Sequence, residues 1–250
     1  MVNFPINLQI GNLIVPPHLI FDILAFSFGF YLYITIRRKR KDFLHSEDRW
    51  NIILGGVIGA LILSRLLASL ENPSLFFNPP NFLYYIQGKT IVGGLIGAIL
   101  GVEITKKILN KKEPTGDLFV FPLILGIAIG RMGCFLTGVS DRTVGLPSNL
   151  PWAISQGDGI PRHPTSLYEI IFLILLGISL FCINKRYNLK KGVLFKAFII
   201  FYLVFRFIIE FIKPINPLFY NMSSIQITGF IMSIYYIKFL FKNGVVKNEW

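Results

Sequence analysis

Three arginines stand where an arginine is expensive: Arg65, Arg131 and Arg206 each fall inside a long apolar run. On insertion scales a cation near the bilayer centre costs roughly 2.5 to 3.5 kcal/mol, so three at similar depth demand counter-charge. Arg206 and Glu210 lie one helical turn apart and can pair on one face. Few other carboxylates occur within the runs, which leaves positive charge for an external anion. A guanidinium is a planar fork of donors that fits phosphate, and a phospholipid headgroup is the simplest anion at that depth. Proton carriers are scarce, because the histidines are only His18, His45 and His163. His18 opens the first apolar run and has Asp22 one turn on, where a carboxylate can orient an imidazole. Cys134 lies three residues from Arg131. A buried thiol without a cationic neighbour is inert, so Cys134 is either a small packing residue or a site residue sensitised by that arginine. No spacing implies a metal or an organic cofactor.

These groups need elements to hold them. Of 250 residues 53% are hydrophobic and 15% charged, with mean hydropathy +0.60 and 24 Phe, which excludes disorder and soluble nucleic-acid modules and marks a membrane protein. Apolar runs at about 18 to 36, 51 to 70, 90 to 106, 117 to 138, 167 to 184, 192 to 213 and 224 to 241 predict an all-α chain of about seven transmembrane helices. Alternate loops then hold 18 basic residues, among them Arg37 to Lys41, Lys106, Lys107, Lys111, Lys112 and Lys247, against four on the other side. The positive-inside rule therefore predicts an outer N-terminus, not a cleaved signal peptide, and a cytoplasmic C-terminus. The net charge of +12 is on this reading topology, directed at anionic lipid rather than nucleic acid. The chain reads as one polytopic domain, 1–250.

All three arginines then fall in the outer half, as do His18, Asp22 and Glu169. Gly93, Gly97 and Gly101 repeat every four residues beside Gly94, a spacing that lets helices touch or leaves room for an acyl chain. Gly130, Gly133 and Gly138 surround Arg131 and Cys134. Residues 140–166, with Asp141, Arg142, Trp152, Asp158, Arg162 and His163, form the longest outer connection and read as an ordered cap between the fourth and fifth helices. Ser166 and Glu169 after Pro164 fit a helix-capping box. Residues 71–87, aromatic and proline-bearing, read as an interfacial stretch.

The segments IVGGLIG (91 to 97), GRMGCFLTG (130 to 138), RHPTSLYE (162 to 169) and YLVFRFIIEF (202 to 211) resemble, in this order, the prolipoprotein diacylglyceryl transferases. The likeness covers roughly residues 50 to 240. It implies an enzyme of the bacterial inner (plasma) membrane that moves diacylglyceryl from phosphatidylglycerol to the lipobox cysteine thiol of a prolipoprotein. It further implies essential roles for Arg131 and Arg206, and substrate contacts by Arg65, Gly93, Gly94, Gly133, Cys134, Arg162, His163, Tyr168, Glu169 and Glu210. The family's histidine before GGL is Val92 here, and the nearest substitute base is His18. A non-catalytic lipid-binding or lipid-translocating relative, or a transferase with another acceptor, stays open at this level.

Overall fold

The computed structural model describes residues 4–6, 8–10, 13–39, 44–141, 143–214 and 222–243. Arg40, Lys41, Arg142 and Lys247, counted above among the loop charges, lie outside them, as does the side chain of Lys242. The fold is all-α apart from two short antiparallel ribbons, β1 (Leu8–Ile10) with β2 (Leu13–Val15) and β3 (Ile154–Ser155) with β4 (Pro161–Arg162). The helices are α1 (Pro17–Lys39), α2 (Ser46–Ser69), the short α3 (Pro73–Phe77) and α4 (Tyr84–Gln87), α5 (Ile91–Ile108), α6 (Val120–Thr137), α7 (Thr165–Arg186), α8 (Val193–Ile209) and α9 (Ser224–Asn243). Single 3-10 turns, Gly116–Phe119 and Gly138–Asp141, extend α6 at both ends.

Local chemistry sets several of these boundaries. Thr90 caps α5, its hydroxyl accepting from the Gly93 amide at 3.2 Å. Asp117 caps α8, its carboxylate accepting from the Gly192 and Phe195 amides at 2.6 and 2.9 Å. Glycine decides the pairing. A Cβ on Gly93 would sit 2.5 Å from the Leu63 carbonyl oxygen, and Cβ atoms on Gly97 and Gly101 would collide with the backbone of Gly59 and Gly55. α2 and α5 therefore run antiparallel with their backbones in contact along the whole seam. α1 lies antiparallel on α6 in the same manner, Ala25 against Gly126 and His18 against Gly133. α8 faces α9 through Leu203 and Gly229, and Phe207 and Phe230. Val92, Leu95, Leu173, Phe198, Tyr202 and Leu203 fill the centre, while Phe26, Tyr31, Ile62 and Ile104 point outward as apolar surface suited to lipid.

Among the described residues, four helices are long and apolar enough to cross a membrane: α1, α2, the continuous Gly116–Asp141 that contains α6, and α7. The expectation of about seven is thereby corrected. α5 has the length but ends in Glu103, Lys106 and Lys107, which shorten its apolar part. α8 has 17 residues, a rise of ~26 Å against ~30 Å of hydrocarbon. The described side chains of α9 stop at Lys238. Hydropathy alone does not separate a buried apolar helix from a spanning one, and α8 is the clearest case, with Phe198, Ile199, Tyr202 and Leu203 fully buried. The orientation counted from seven alternating loops falls with the seven spans.

Candidate active site

Two clusters of polar side chains gather at the end of the bundle where α1 and α7 begin and α6 and α8 finish. The first is centred on His18. Gly133 has no side chain to keep α1 away: a Cβ there would meet Phe21 Cβ at 2.8 Å and His18 Cα at 3.2 Å. That approach puts His18 Nε2 3.6 Å from Cys134 Sγ and 3.3 Å from Asp141 Oδ1. Gly138, at φ +67°, turns the chain out of α6 so that Asp141 comes back over the helix end. On the other ring nitrogen, His18 Nδ1 lies 3.0 Å from Asp22 Oδ2, and Lys89 Nζ donates to the same oxygen at 2.7 Å. Arg131 Nη1 donates to Cys134 Sγ at 3.7 Å.

The second cluster is built around Glu169, one turn into α7 and 2% exposed. Its Oε2 lies 2.8 Å from Arg131 Nε and 3.0 Å from Arg206 Nη1, and its Oε1 accepts from the Tyr202 hydroxyl at 2.6 Å. Arg206 Nη2 donates to Glu210 Oε2 at 3.3 Å, and Lys213 Nζ stands 4.0 Å from that oxygen. Two expectations are corrected here. The positive charge of Arg131 and Arg206 is largely compensated, because Glu169 bridges both. Glu169 also closes no capping box: the residue at the N-cap is Pro164, which has no N–H for it to reach, and no side chain caps α7. Three cations, Arg131, Arg206 and Lys213, pair with two carboxylates, Glu169 and Glu210, and the Glu71 carboxyl stands near them as a third acid.

The donors are not all used. Arg131 Nε, although close to Glu169, does not aim its hydrogen at it, and Arg206 Nε also has no hydrogen-bond acceptor among the described residues. Gln226, wholly buried at the start of α9, accepts from the Ser223 amide, and its NH2 has no hydrogen-bond partner among the described residues. Burial, with Glu210 beside it, pushes the Glu71 carboxyl up to about 7, against the opposing pull of Lys213 and Arg206. Burial and the nearby Arg206 push the Lys213 ammonium down to about 8, with Glu210 resisting.

Residues 5–242 match the family model described as prolipoprotein diacylglyceryl transferase. The chain belongs to that family. Similar relatives bear the name phosphatidylglycerol--prolipoprotein diacylglyceryl transferase. That of Glaesserella parasuis serovar 5 is 31% identical over 228 residues, covering 85% of this chain and 81% of its own. That of Mannheimia succiniciproducens is 30% identical over 218 residues, 84% and 79%. That of Bordetella parapertussis is 33% identical over 224, 84% and 82%. Membership in this diacylglyceryl transferase family, together with the four apolar helices, makes the chain a multi-pass protein of the bacterial inner membrane whose family acts on lipid.

The residues that the transferase likeness points to fall in three places. Arg131, Arg206, Glu169, Glu210, His18, Cys134 and Gly133 meet in the two clusters. Arg162, His163 and Tyr168 instead frame the connection between α6 and α7: Arg162 donates to Asp158 at 2.7 Å, and the Tyr168 hydroxyl accepts from Trp152 Nε1 at 2.7 Å with His163 Nδ1 3.3 Å away. Arg65 donates to the Ile86 carbonyl and so holds the short α3–α4 segment, and Gly93 and Gly94 pack beside Ser64 of α2. Sequence reasoning missed Asp141, Tyr202, Lys213 and Glu71 as members of these clusters. Only Tyr202 carried a local signal, standing four residues before Arg206 on the same helix face.

Proposed function

We propose that this chain transfers the diacylglyceryl group of phosphatidylglycerol to a prolipoprotein, as its relatives' names describe for them, and that the acceptor is the lipobox cysteine thiol. The observation that carries the reading is the arginine pair: two guanidinium groups, each at least 95% buried, fixed by Glu169 and with Nε donors to spare. In the step proposed, the acceptor thiolate attacks the glyceryl carbon as a sulfur–carbon bond forms and the carbon–oxygen bond to phosphate breaks. Its electron pair stays on the phosphate oxygen, and glycerol phosphate leaves. Arg131 and Arg206 stabilise the charge growing on that oxygen, and because they are already held in place no reorganisation is required at the moment of reaction. His18, oriented by Asp22, activates the acceptor thiol.

Residues 140–166 serve as a cap over this end. The reading is supported by the Leu146 amide, which donates to the Ile212 carbonyl at 2.8 Å, and the Val139 amide, which donates to that of Gln156 at 3.1 Å. Gly133 and Cys134 set the depth of the thiol side, and Glu210 tunes Arg206.

The test is transfer from phosphatidylglycerol to a lipobox peptide by the purified protein, read by mass. Arg131→Ala and Arg206→Ala each lose roughly 10²- to 10³-fold in rate, and Arg206→Lys recovers little because an ammonium lacks the planar fork. Bound phospholipid with no modified peptide from the unaltered protein would instead mark a non-catalytic lipid binder.

A further inference from the structure

We infer that Glu71 forms, with Lys213, the subsite for the polar head of the lipid donor, and that Glu71 selects heads bearing hydroxyl groups. The assignment rests on the transferase reading, because it uses the direction of the proposed displacement. A nucleophile and the group it expels stand on opposite sides of the carbon attacked, with their orbitals aligned. The contacts at this end of the bundle run in one line. Cys134 Sγ accepts from Arg131 at 3.7 Å, Arg131 and Arg206 lie 2.8 and 3.0 Å from the same Glu169 oxygen, and Arg206 Nη2 donates to Glu210 at 3.3 Å. Lys213, 4.0 Å from Glu210, ends the line. With the thiol arriving beside Cys134 and the phosphate held between the guanidinium groups, the head on the far side of the phosphate reaches toward Glu210, Lys213 and Glu71.

Glu71 is half-buried just past the end of α2, and its backbone is fixed on both sides. The Tyr84 hydroxyl donates to the Ser69 carbonyl at 2.9 Å and lies 3.5 Å from that of Asn72, and the Glu71 amide donates to the Ala68 carbonyl at 3.2 Å. The Ser224 hydroxyl of α9 donates to the Leu67 carbonyl at 3.4 Å and holds this end of α2 to the bundle. The carboxyl so positioned makes no hydrogen bond or ion pair among the described residues, although Glu210, Lys213 and Arg206 are near enough to act on it. Arg206, 4% exposed, also keeps its Nε without an acceptor among them. Polar groups withdrawn from water and left unpaired cost free energy, and a ligand that pairs with them recovers it.

The chemistry of these two side chains fits a hydroxyl. Burial and the neighbouring Glu210 favour the neutral form of Glu71, in which a carboxyl both donates and accepts a hydrogen bond. A hydroxyl offers a donor and an acceptor in return, and the Lys213 ammonium supplies further donors for its oxygen. A head that lacks hydroxyls leaves Glu71 as unpaired as it is without ligand, which is the condition under which a polar site rejects an analogue.

The test compares phosphatidylglycerol with phosphatidylpropanol, whose head keeps the three carbons and lacks the two hydroxyls. With the parent protein, kcat/KM is expected to be roughly 10- to 100-fold higher for phosphatidylglycerol, the span for one or two buried hydrogen bonds. Glu71→Leu should bring that ratio to within about threefold of unity, whereas Glu71→Gln, which keeps a donor and an acceptor at the same reach, should hold it. Where the leucine variant does not fold, Glu71→Asp, shorter by one methylene, is read for the same fall in ratio. A side chain with only a structural role would slow both donors alike and leave the ratio untouched. That result overturns the assignment, as does a parent that does not distinguish the donors. Competition of the two lipids for the purified protein, followed by native mass spectrometry, keeps the two readings apart. A binding preference for phosphatidylglycerol that Glu71→Leu removes, without any transfer, supports the subsite and ends the transferase reading. Transfer to the lipobox peptide from both donors at one rate does the reverse.

Discussion

Among single residues, Glu169 is the one on which most others depend. It pairs with Arg131 and Arg206 and accepts from Tyr202, so its charge is what makes two buried guanidinium groups tolerable. Glu169→Gln should therefore cost about 3 to 5 kcal/mol of stability, the range for breaking a buried ion pair from one side, and the melting temperature in detergent should fall accordingly. A Glu169→Gln protein as stable as the parent would mean that the arginines are held by something else. Glu71 gives a pH signature of the same region. Its ordinary value of 4.5 is raised to about 7 in the fold, so the folded state favours the protonated form. The associated stability is complete below pH 4.5 and is lost as pH rises through 7. A melting-temperature series from pH 4 to 8 should decline in the parent across that window and be flatter in Glu71→Gln.

At the level of elements, glycine seams do what side chains elsewhere do. Gly97 meets the Gly59 backbone so closely that no branched residue fits, and Gly97→Val should separate α2 from α5. The expected result is loss of folded protein, seen as aggregation on size-exclusion chromatography, whereas Gly130→Ala, which meets nothing within 4 Å, should elute unchanged. That seam is readable from sequence because its signal is local: glycines four apart share one helix face. Arg206 and Glu210 are readable for the same reason. The Glu169 bridge is not, since Arg131 and Arg206 stand far from it along the chain and only the packing of α6, α7 and α8 makes them neighbours. Asp141 was hidden by Gly138, whose left-handed turn folds a loop residue back over the helix it follows. The spans were over-read because a helix buried among helices is as apolar as one facing lipid: Val193–Ile209 is such a case.

For the whole molecule, the two polar clusters lie at one end of the bundle and are joined by Arg131. On the proposed reading one holds the anion that leaves and the other the sulfur that arrives, and Arg131 touches both, with its Nε near Glu169 and its Nη1 donating to Cys134. The α2–α5 seam has a different bearing, on what the lineage is free to vary. Gly97 and Gly101 meet only α2 yet admit almost no replacement, so a saturation library should show two zones of intolerance of different origin. Variants at the seam would vanish as protein, and variants at the arginines would persist as protein without product. Expression and turnover scored side by side would then separate the inheritance of a scaffold from the inheritance of a reaction, position by position.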